Sequence, residues 1–153
     1  MNPIFIIGTE RSGTNLLRVI LNSHSSIVIP HPPHIMKNFF KLEGLYRDLG
    51  KDSNFKKLIN DVVCMVSLHH YPWQIRIDKE KIFRSAKERN LINVFFEIYD
   101  QCLEKSNKKR WGCKSTFMIN HVAMVRSYYP EAKFIYMVRD GRDVAVSAKK
   151  TIF

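Results

Sequence analysis

Short apolar runs, rich in β-branched residues, divide this chain into segments that are typical of buried strands. They cover residues 3–7, 27–29 and 133–138. Apolar runs bounded by turn-forming residues indicate strands that are covered on both faces of a sheet. Gly8 ends the first run, and a proline-rich loop that cannot supply ladder donors stops the second. The pattern therefore predicts at least three buried strands.

Apolar residues at helical spacing occupy the stretches between these runs. A helix is predicted to start at Thr14 and to end in the polar residues 22–26, and two more are predicted at about 117–129 and from Val144. Residues 35–106 are predicted to be helical, and we interpret their apolar stripes as core. The stripe of the first helix and the three stripes of the middle region are, in order, Leu16, Leu17, Ile20 and Leu21; Phe39, Phe40, Leu42 and Leu45; Phe55, Leu58, Ile59, Val62, Val63 and Val66; and Leu91, Ile92, Val94, Phe95, Ile98, Tyr99 and Leu103.

The order of these elements predicts the fold class. Strands that alternate with helices favour an α/β fold of three layers, with a mainly parallel sheet flanked by helices. The sequence shows neither an internal repeat nor a linker, so residues 1–153 are interpreted as one domain. In such a sheet the ligand lies beyond the carboxyl ends of the strands. We therefore expect the chemistry of this protein in the loops that follow the strands.

Composition excludes several classes of protein. Of 153 residues, 45% are hydrophobic and 25% are charged, which excludes a disordered, collagenous or low-complexity chain. The three cysteines have no CxxC spacing, so neither a disulfide framework nor a zinc site is indicated, and we expect buried thiols. No apolar run approaches the length of a membrane span, and residues 1–8 lack the basic start of a secretory signal. These features predict a soluble, cytoplasmic protein.

The net charge indicates the kind of partner. The formal charge is +11, and residues 101–153 alone carry 11 basic and 4 acidic side chains. A basic balance of this size favours an anionic partner, which includes nucleic acid, an acidic membrane surface or a small phosphorylated ligand.

Residues 8–15, Gly-Thr-Glu-Arg-Ser-Gly-Thr-Asn, have the spacing of a phosphate-binding loop between a buried strand and a helix. The glycines allow backbone N–H groups to turn inward, and the helix that begins near Thr14 adds its positive end. A nucleotide triphosphatase loop would have Lys and Ser/Thr where this chain has Thr14 and Asn15, and its cation here is Arg11. We therefore predict an anion-binding loop without a metal ion. Alternatively, Gly8 and Gly13 only form a tight turn and Arg11 is solvated.

A second anion site is predicted at residues 139–147, directly after the last apolar run. The strand would deliver Arg139 to the same sheet edge as the first loop, and Ser147 lies about one turn into the following helix, where its hydroxyl could face Arg139. An arginine with a hydroxyl is a good receptor for a terminal phosphate. The alternative is a helix cap by Asp140 or Asp143 with surface arginines.

These two motifs resemble those of the sulfotransferases that use 3′-phosphoadenosine 5′-phosphosulfate (PAPS), particularly the bacterial and Golgi-like branch. Residues 11–14, Arg-Ser-Gly-Thr, match the core of that family's 5′-phosphosulfate loop, and Asn15 follows it. Arg139 and Ser147 match the family's 3′-phosphate motif, and Lys114-Ser115 falls where a Lys-Thr pair often lies near the transfer site. The resemblance implies a fold related to that of the P-loop NTPases. It also implies transfer of a sulfuryl group from PAPS to a hydroxyl or amine acceptor.

The resemblance also implies catalytic roles. Arg11 and the loop amides would stabilise charge on the departing phosphate, and Lys114 would share charge on the transferring group. Many relatives have a Glu or His after the second strand, where this chain has His31 and His34. We choose His34 as the base, because a neutral imidazole accepts a proton near pH 7. The alternative for His34 is a structural hydrogen bond in a stiff loop, and for Lys114 it is a plain surface lysine.

Two other functions are weighed. A P-loop nucleotide kinase or hydrolase would require Mg²⁺, and the missing Lys and Ser/Thr disfavour it. A non-enzymatic polyanion-binding or nucleic-acid-binding domain would show strong salt dependence, but no recognised reader motif is present, so nucleic acid is not expected as a partner. The expected partners are PAPS, its product PAP (3′-phosphoadenosine 5′-phosphate), and a small-molecule, glycan or lipid acceptor. The oligomeric state is left open.

The length of the chain adds one expectation. Family members usually continue past the 3′-phosphate motif, whereas this sequence ends at Phe153. We therefore expect a truncated, amino-terminal part of a sulfotransferase domain, with a helical acceptor-side insert at about 35–106. Such a fragment could bind PAPS weakly or be inactive.

Overall fold

The computed structural model of this chain describes residues 2–150. Residues 151–153, where the sequence analysis places the end of a truncated domain, and the first residue lie outside that range. Four strands and seven α-helices are described, together with 3₁₀ helices at Phe40–Tyr46 and Thr116–His121. In chain order they are β1 (Ile4–Gly8), α1 (Thr14–Asn22), β2 (Ile27–Val28), α2 (Ile35–Phe39), α3 (Asp52–Ser67), α4 (Lys79–Ser85), α5 (Leu91–Glu104), β3 (Arg110–Lys114), α6 (Val122–Tyr128), β4 (Lys133–Met137) and α7 (Gly141–Lys149).

The four strands form one parallel sheet in the order β2-β3-β1-β4. This confirms the predicted parallel α/β fold, with helical segments linking the strands. No strand was predicted from the sequence at residues 110–114, where β3 lies. Its sequence mixes Arg110, Gly112 and Lys114 with two buried side chains, so no continuous apolar run marks it.

Side chains are buried on both faces of the sheet. Phe5 and Ile7 of β1 belong to the main core cluster, whereas Ile4 and Ile6 are buried outside it, as expected for side chains that alternate between two faces. Trp111 of β3 is fully buried, and its ring meets that of Phe5 edge-on at 5.5 Å. The stripes of α3 and α5 join this cluster, which confirms both as core. α1 packs against β1, β2 and β3.

Three expectations about burial are wrong or incomplete. In the segment Phe40–Tyr46, Leu42 and Leu45 are 44% and 75% exposed. The segment is a 3₁₀ helix, in which residues three apart eclipse, so this pair faces solvent together. On α1, Leu16 and Ile20 are also exposed, because only the opposite face of this helix meets the sheet. Of the three thiols predicted to be buried, Cys64 is exposed.

Two helix boundaries also differ from the prediction. α7 begins at Gly141 rather than Val144, because the Asp140 side chain caps it by accepting a hydrogen bond from the Arg142 N–H at 2.8 Å. The helix predicted at about 117–129 is divided into a 3₁₀ helix and α6. Within residues 2–150, no helix combines the length and apolar character that crossing a membrane requires.

Candidate functional site

A cavity of about 380 Å³ lies beyond the carboxyl ends of β1, β3 and β4. This is the edge at which parallel α/β sheets bind ligands. The structure brings to this cavity all but one of the nine predicted site residues, although they come from five separate parts of the chain. Those that line it are Arg11, Gly13, Thr14, Asn15, His34, Lys114, Arg139 and Ser147.

Two glycines shape the loop that follows β1. Gly8 has a φ of 145°, and a Cβ at this position would lie 2.5 Å from the carbonyl oxygen of Met137 on β4. Gly13 has a φ of 91° and is the N-cap of α1. It has no side chain that could accept from the first-turn amides of the helix. These amides, with the positive end of α1, are therefore left to bind an anion in the cavity.

Ser12 is the predicted site residue that does not line the cavity. It is only 4% exposed, and its hydroxyl donates a hydrogen bond to the carbonyl oxygen of Thr9 at 2.6 Å. The Ser12 amide bonds the same oxygen at 3.4 Å. The Ser12 side chain thus fixes the shape of the loop from within.

Arg11 joins the two predicted anion motifs. Its Nε donates a hydrogen bond to Oγ of Ser147 at 3.1 Å, and its carbonyl oxygen accepts one from Nη1 of Arg139 at 3.2 Å. Arg11 has a φ of 64°, a left-handed conformation that costs a non-glycine residue roughly 1–2 kcal/mol. Arg139 stabilises this conformation by bonding the carbonyl that it presents.

The second motif differs in detail from its prediction. Because α7 begins at Gly141, Ser147 lies nearly two turns into the helix rather than one, and its hydroxyl accepts a hydrogen bond from Arg11. Nε of Arg139 also lies 3.8 Å from Oδ2 of Asp143. The helix cap weighed as an alternative is present as well, since Asp140 accepts from the Arg142 amide. Capping and cavity lining therefore coexist in this motif, on different residues.

His34 is held at the cavity by an unusual backbone conformation. It has a φ of 56° and immediately precedes α2. Its Nδ1 is buried and lacks a hydrogen-bond partner among the described residues. Burial is the main cause that lowers the pKa of His34, and the positive charges of Lys114 and Lys37 add to it, while Glu10 acts in the opposite direction. A lowered pKa keeps this imidazole neutral near pH 7.

His31, the alternative base, lies elsewhere. Its ring packs against those of Tyr71 and His69 at centroid distances of 4.4 and 5.3 Å, and it is not among the residues that line the cavity. Its carbonyl oxygen accepts a hydrogen bond from the indole N–H of Trp73 at 2.7 Å. Burial, with the nearby charge of Arg18, lowers the pKa of His31 to about 4. Of the two histidines in the loop, His34 lines the cavity and His31 does not.

Lys114 ends β3 and lines the cavity. Burial lowers the pKa of its ammonium group. Four lining residues were not among the predicted site residues: the apolar Leu16, which was interpreted as core, and the polar Glu10, Lys37 and Thr116. Glu10 lies inside the loop motif, Lys37 follows His34 by three residues, and Thr116 follows Lys114 by two. Short spacing from a predicted site residue is the signal that could have found them.

The charges of the lining define what the cavity can bind. Among the described residues, Arg11, Arg139, Lys114 and Lys37 line it with one carboxylate, that of Glu10, whose Oε1 lies 3.9 Å from Nζ of Lys37. Two arginines beside backbone donors suit a ligand with more than one anionic group. A neutral imidazole in the same cavity can accept a proton from a bound hydroxyl or amine. The arrangement thus has the parts needed for group transfer from an anionic donor.

Comparisons with known proteins agree with this chemistry. The model of the Sulfotransferase family matches residues 3–153. Protein-tyrosine sulfotransferase 1 of Homo sapiens is 25% identical over 146 residues, which cover 93% of this chain and 32% of that protein. Nodulation protein NoeE of Sinorhizobium fredii is 28% identical over 148 residues, or 96% of this chain and 31% of that protein. The chain spans about a third of the length of these curated relatives.

Proposed function

The chain belongs to the sulfotransferase family, and from this premise we propose that it transfers a sulfuryl group from PAPS to a hydroxyl or amine acceptor. The observation that carries the proposal is the 3.1 Å hydrogen bond between Arg11 and Ser147, which joins the two anion motifs in one cavity. PAPS has its 5′-phosphosulfate and its 3′-phosphate on the same ribose. A receptor for it therefore needs two anion sites close together.

The donor would be held by both motifs. Arg11, the loop at Ser12 and Gly13, and the first-turn amides at Thr14 and Asn15 would bind the 5′-phosphosulfate. Arg139 and Ser147 would bind the 3′-phosphate. During transfer, the bond between sulfur and the bridging phosphate oxygen breaks, and negative charge grows on that phosphate. Arg11 and the loop amides would stabilise this charge without a metal ion.

The acceptor would be activated by His34 and Lys114, which line the same cavity. Its oxygen or nitrogen attacks the sulfur while its proton passes to the neutral imidazole of His34, and PAP departs. Burial disfavours the imidazolium form, so we expect His34 to pass the proton on to solvent rather than retain it. Lys114 would share the negative charge of the sulfuryl oxygens during transfer. The names of the relatives do not agree on one acceptor, so we propose only a hydroxyl or amine group of a small molecule, glycan, lipid or peptide.

Calorimetry with PAP and AMP tests the donor assignment. PAP should bind more tightly than AMP, because only PAP has the 3′-phosphate that would engage Arg139 and Ser147. Equal affinities would contradict the assignment of the second motif. Binding of ATP that depends on Mg²⁺, with no binding of PAP, would instead favour a nucleotide kinase or hydrolase.

Transfer itself is tested with labelled PAPS and a panel of sugars, lipids, phenols and peptides. Label should appear on at least one acceptor, and added EDTA should leave its rate unchanged, since no metal ion is proposed to take part. A chain that binds PAP but transfers nothing to any acceptor would leave the donor site standing and overturn the proposed activity of these 153 residues.

A further inference from the structure

Ile29, between β2 and the loop that leads to His34, is bonded on both sides by α1. Asn22 Oδ1 accepts a hydrogen bond from the Ile29 N–H at 2.7 Å. Arg18 Nη1 donates one to the Ile29 carbonyl oxygen at 3.2 Å. Arg18 and Asn22 are four residues apart, so both side chains leave the same face of the helix. We refer to these two hydrogen bonds as the Ile29 clamp.

The clamp takes over where strand pairing ends. β2 contains only two residues, and they pair with β3 through Ile27 and Val28. Ile29 is fully buried, and Pro30 follows it without an N–H group. A buried backbone N–H or C=O group that lacks a hydrogen bond destabilises the folded chain. Asn22 and Arg18 satisfy both groups of Ile29 and so fix where the chain leaves the sheet.

The loop that follows transmits this position to His34. Residues 30–34 contain three prolines, whose φ angles are fixed near one value. The Trp73 indole holds the middle of the loop through the His31 carbonyl, and the far end enters α2 at Ile35, which is 1% exposed. The Ile29 clamp, the Trp73 hydrogen bond and the buried Ile35 thus hold the loop at three points. Little conformational freedom is left for the His34 backbone between them.

Arg18 also reaches the phosphate loop. Its Nε donates a hydrogen bond to Oδ1 of Asn15 at 2.9 Å. Asn15 lines the cavity, as does His34. One guanidinium therefore links the helix start beneath the donor site to the strand end from which the loop of His34 departs.

From these contacts we infer that Asn22 and Arg18 are positioning residues, which set the distance between the donor bound at the phosphate loop and the imidazole of His34. The inference rests on the proposed function for its catalytic consequence, since it takes His34 as the base. Its structural part, that the clamp holds the chain at Ile29, stands on the hydrogen bonds alone.

Asn22 offers the sharper test, because its side chain bonds Ile29 and not the donor loop. In the 153-residue chain, Asn22→Ala should speed hydrogen exchange at the Ile29 amide, measured by NMR. It should lower kcat by about 10- to 100-fold, as misplacement of a catalytic group by about 1 Å does. PAP affinity should change by less than about twofold. Asn22→Asp keeps an acceptor oxygen, so its exchange rate at the Ile29 amide and its kcat should return to the wild-type values.

Ser23→Ala is the matched control. It removes another side-chain hydrogen bond at the same helix end, from the Ser23 hydroxyl to the Ile20 carbonyl, without contact to Ile29. Its exchange rate at Ile29 and its kcat should equal those of the wild type. Arg18→Lys is the second variant, for the case that Asn22→Ala does not fold. We expect it to lower kcat more than it lowers PAP affinity, which it affects through Asn15, and an unchanged kcat would overturn the inference.

The outcomes separate the two hypotheses. If hydrogen exchange at the Ile29 amide is faster in Asn22→Ala but kcat is unchanged, the clamp does not position the base, and the inference is overturned. The same follows if PAP affinity falls as much as kcat, since the donor site would then be damaged. If the wild type neither binds PAP nor transfers a sulfuryl group, the proposed function fails. Hydrogen exchange at the Ile29 amide then remains as the test of the clamp. Faster exchange in Asn22→Ala than in Ser23→Ala then supports it, and equal exchange overturns it.

Discussion

The side chains of Arg11 and Ser147 meet at 3.1 Å although the residues are 136 positions apart. The contact is exposed, so by itself it adds little to stability. Its importance is geometric, because it places an arginine of the first loop beside the hydroxyl of the last helix. The two predicted anion sites therefore line the same cavity.

The first prediction concerns Arg139. Arg139→Ala should weaken PAP binding by about 10- to 100-fold, the loss expected for one or two charge-assisted hydrogen bonds of about 1.5–3 kcal/mol. AMP binding, which needs only the first loop, should change much less. Calorimetry with both nucleotides measures the difference.

Arg142→Ala is the matched control for this arginine. Arg142 lies in the same motif, its side chain is 92% exposed, and it pairs with Asp140 rather than the cavity. PAP affinity should be unchanged in this variant. Because Arg139 also bonds the Arg11 carbonyl, an equal loss of AMP binding in Arg139→Ala would show damage to the first loop and contradict a specific role in binding the 3′-phosphate.

The second prediction concerns Arg11. Arg11→Ala should lower the single-turnover rate of transfer from labelled PAPS by about 100- to 1,000-fold, as loss of one donor to developing charge does in other enzymes. Arg11→Lys, which keeps the charge but not the fork of donors, should recover part of the rate. Arg126→Ala, at an exposed position on α6, serves as control. An unchanged rate in Arg11→Ala would remove Arg11 from the mechanism.

The sequence predicted the fold where periodicity is strong and failed where local geometry intervenes. The long stripes of α3 and α5 and the apolar runs of β1 and β4 were sufficient to place these elements. β3 was missed because Gly112 and two basic residues interrupt its pattern. Leu45 was misplaced because periodicity gives a stripe but not the surface that it faces, and the chain there forms a 3₁₀ helix.

Most residues of the candidate site could be predicted from the sequence, but the hydrogen bonds between them could not. Arg11 and Arg139 were placed together because parallel strands end at one sheet edge. That Ser147 meets Arg11 depends on the exact start of α7, which the Asp140 cap decides. The Ile29 clamp could not be predicted for a similar reason, since it depends on the rotation of α1 relative to β2.

A third prediction tests burial through the cysteines. In the folded chain, a water-soluble thiol reagent should modify Cys64, which is exposed, and leave Cys102 and Cys113 unmodified. Burial raises the pKa of both inner thiols to about 12, so they also lack the reactive thiolate. Mass spectrometry of the native protein should show one label, and denaturation should expose three sites. Labelling of Cys113 in the native state would contradict the packing of β3. Cys64→Ser provides the unlabelled control.

A fourth prediction concerns the glycine at the end of β1. Gly8→Ala should lower the free energy of unfolding by about 1–3 kcal/mol, because its Cβ would lie 2.5 Å from the Met137 carbonyl oxygen at a φ of 145°. Gly141→Ala is the control, since a Cβ there meets nothing within 4 Å. It should be neutral or slightly stabilising. Urea unfolding followed by tryptophan fluorescence measures both. Equal stability of the two variants would show that β1 and β4 can separate at this point without cost.

The last prediction is the pH dependence of transfer. His34 accepts a proton only when it is neutral, so kcat/KM should be constant at neutral pH and fall as the pH drops through the pKa of His34. Burial lowers that pKa, and Lys114 and Lys37 lower it further. The acid limb should therefore lie below the ordinary histidine value of about 6.5.

Two substitutions should move the limb in opposite directions. Lys37→Met removes a positive neighbour and should shift it to higher pH, whereas Glu10→Gln removes the negative one and should shift it to lower pH. Both side chains are more than half exposed, so each shift should be small and should shrink with added salt. His70→Ala, at an exposed histidine away from the cavity, should leave the profile unchanged. A limb at or above pH 7, or one that ignores both substitutions, would mean that His34 is not the group that accepts the proton.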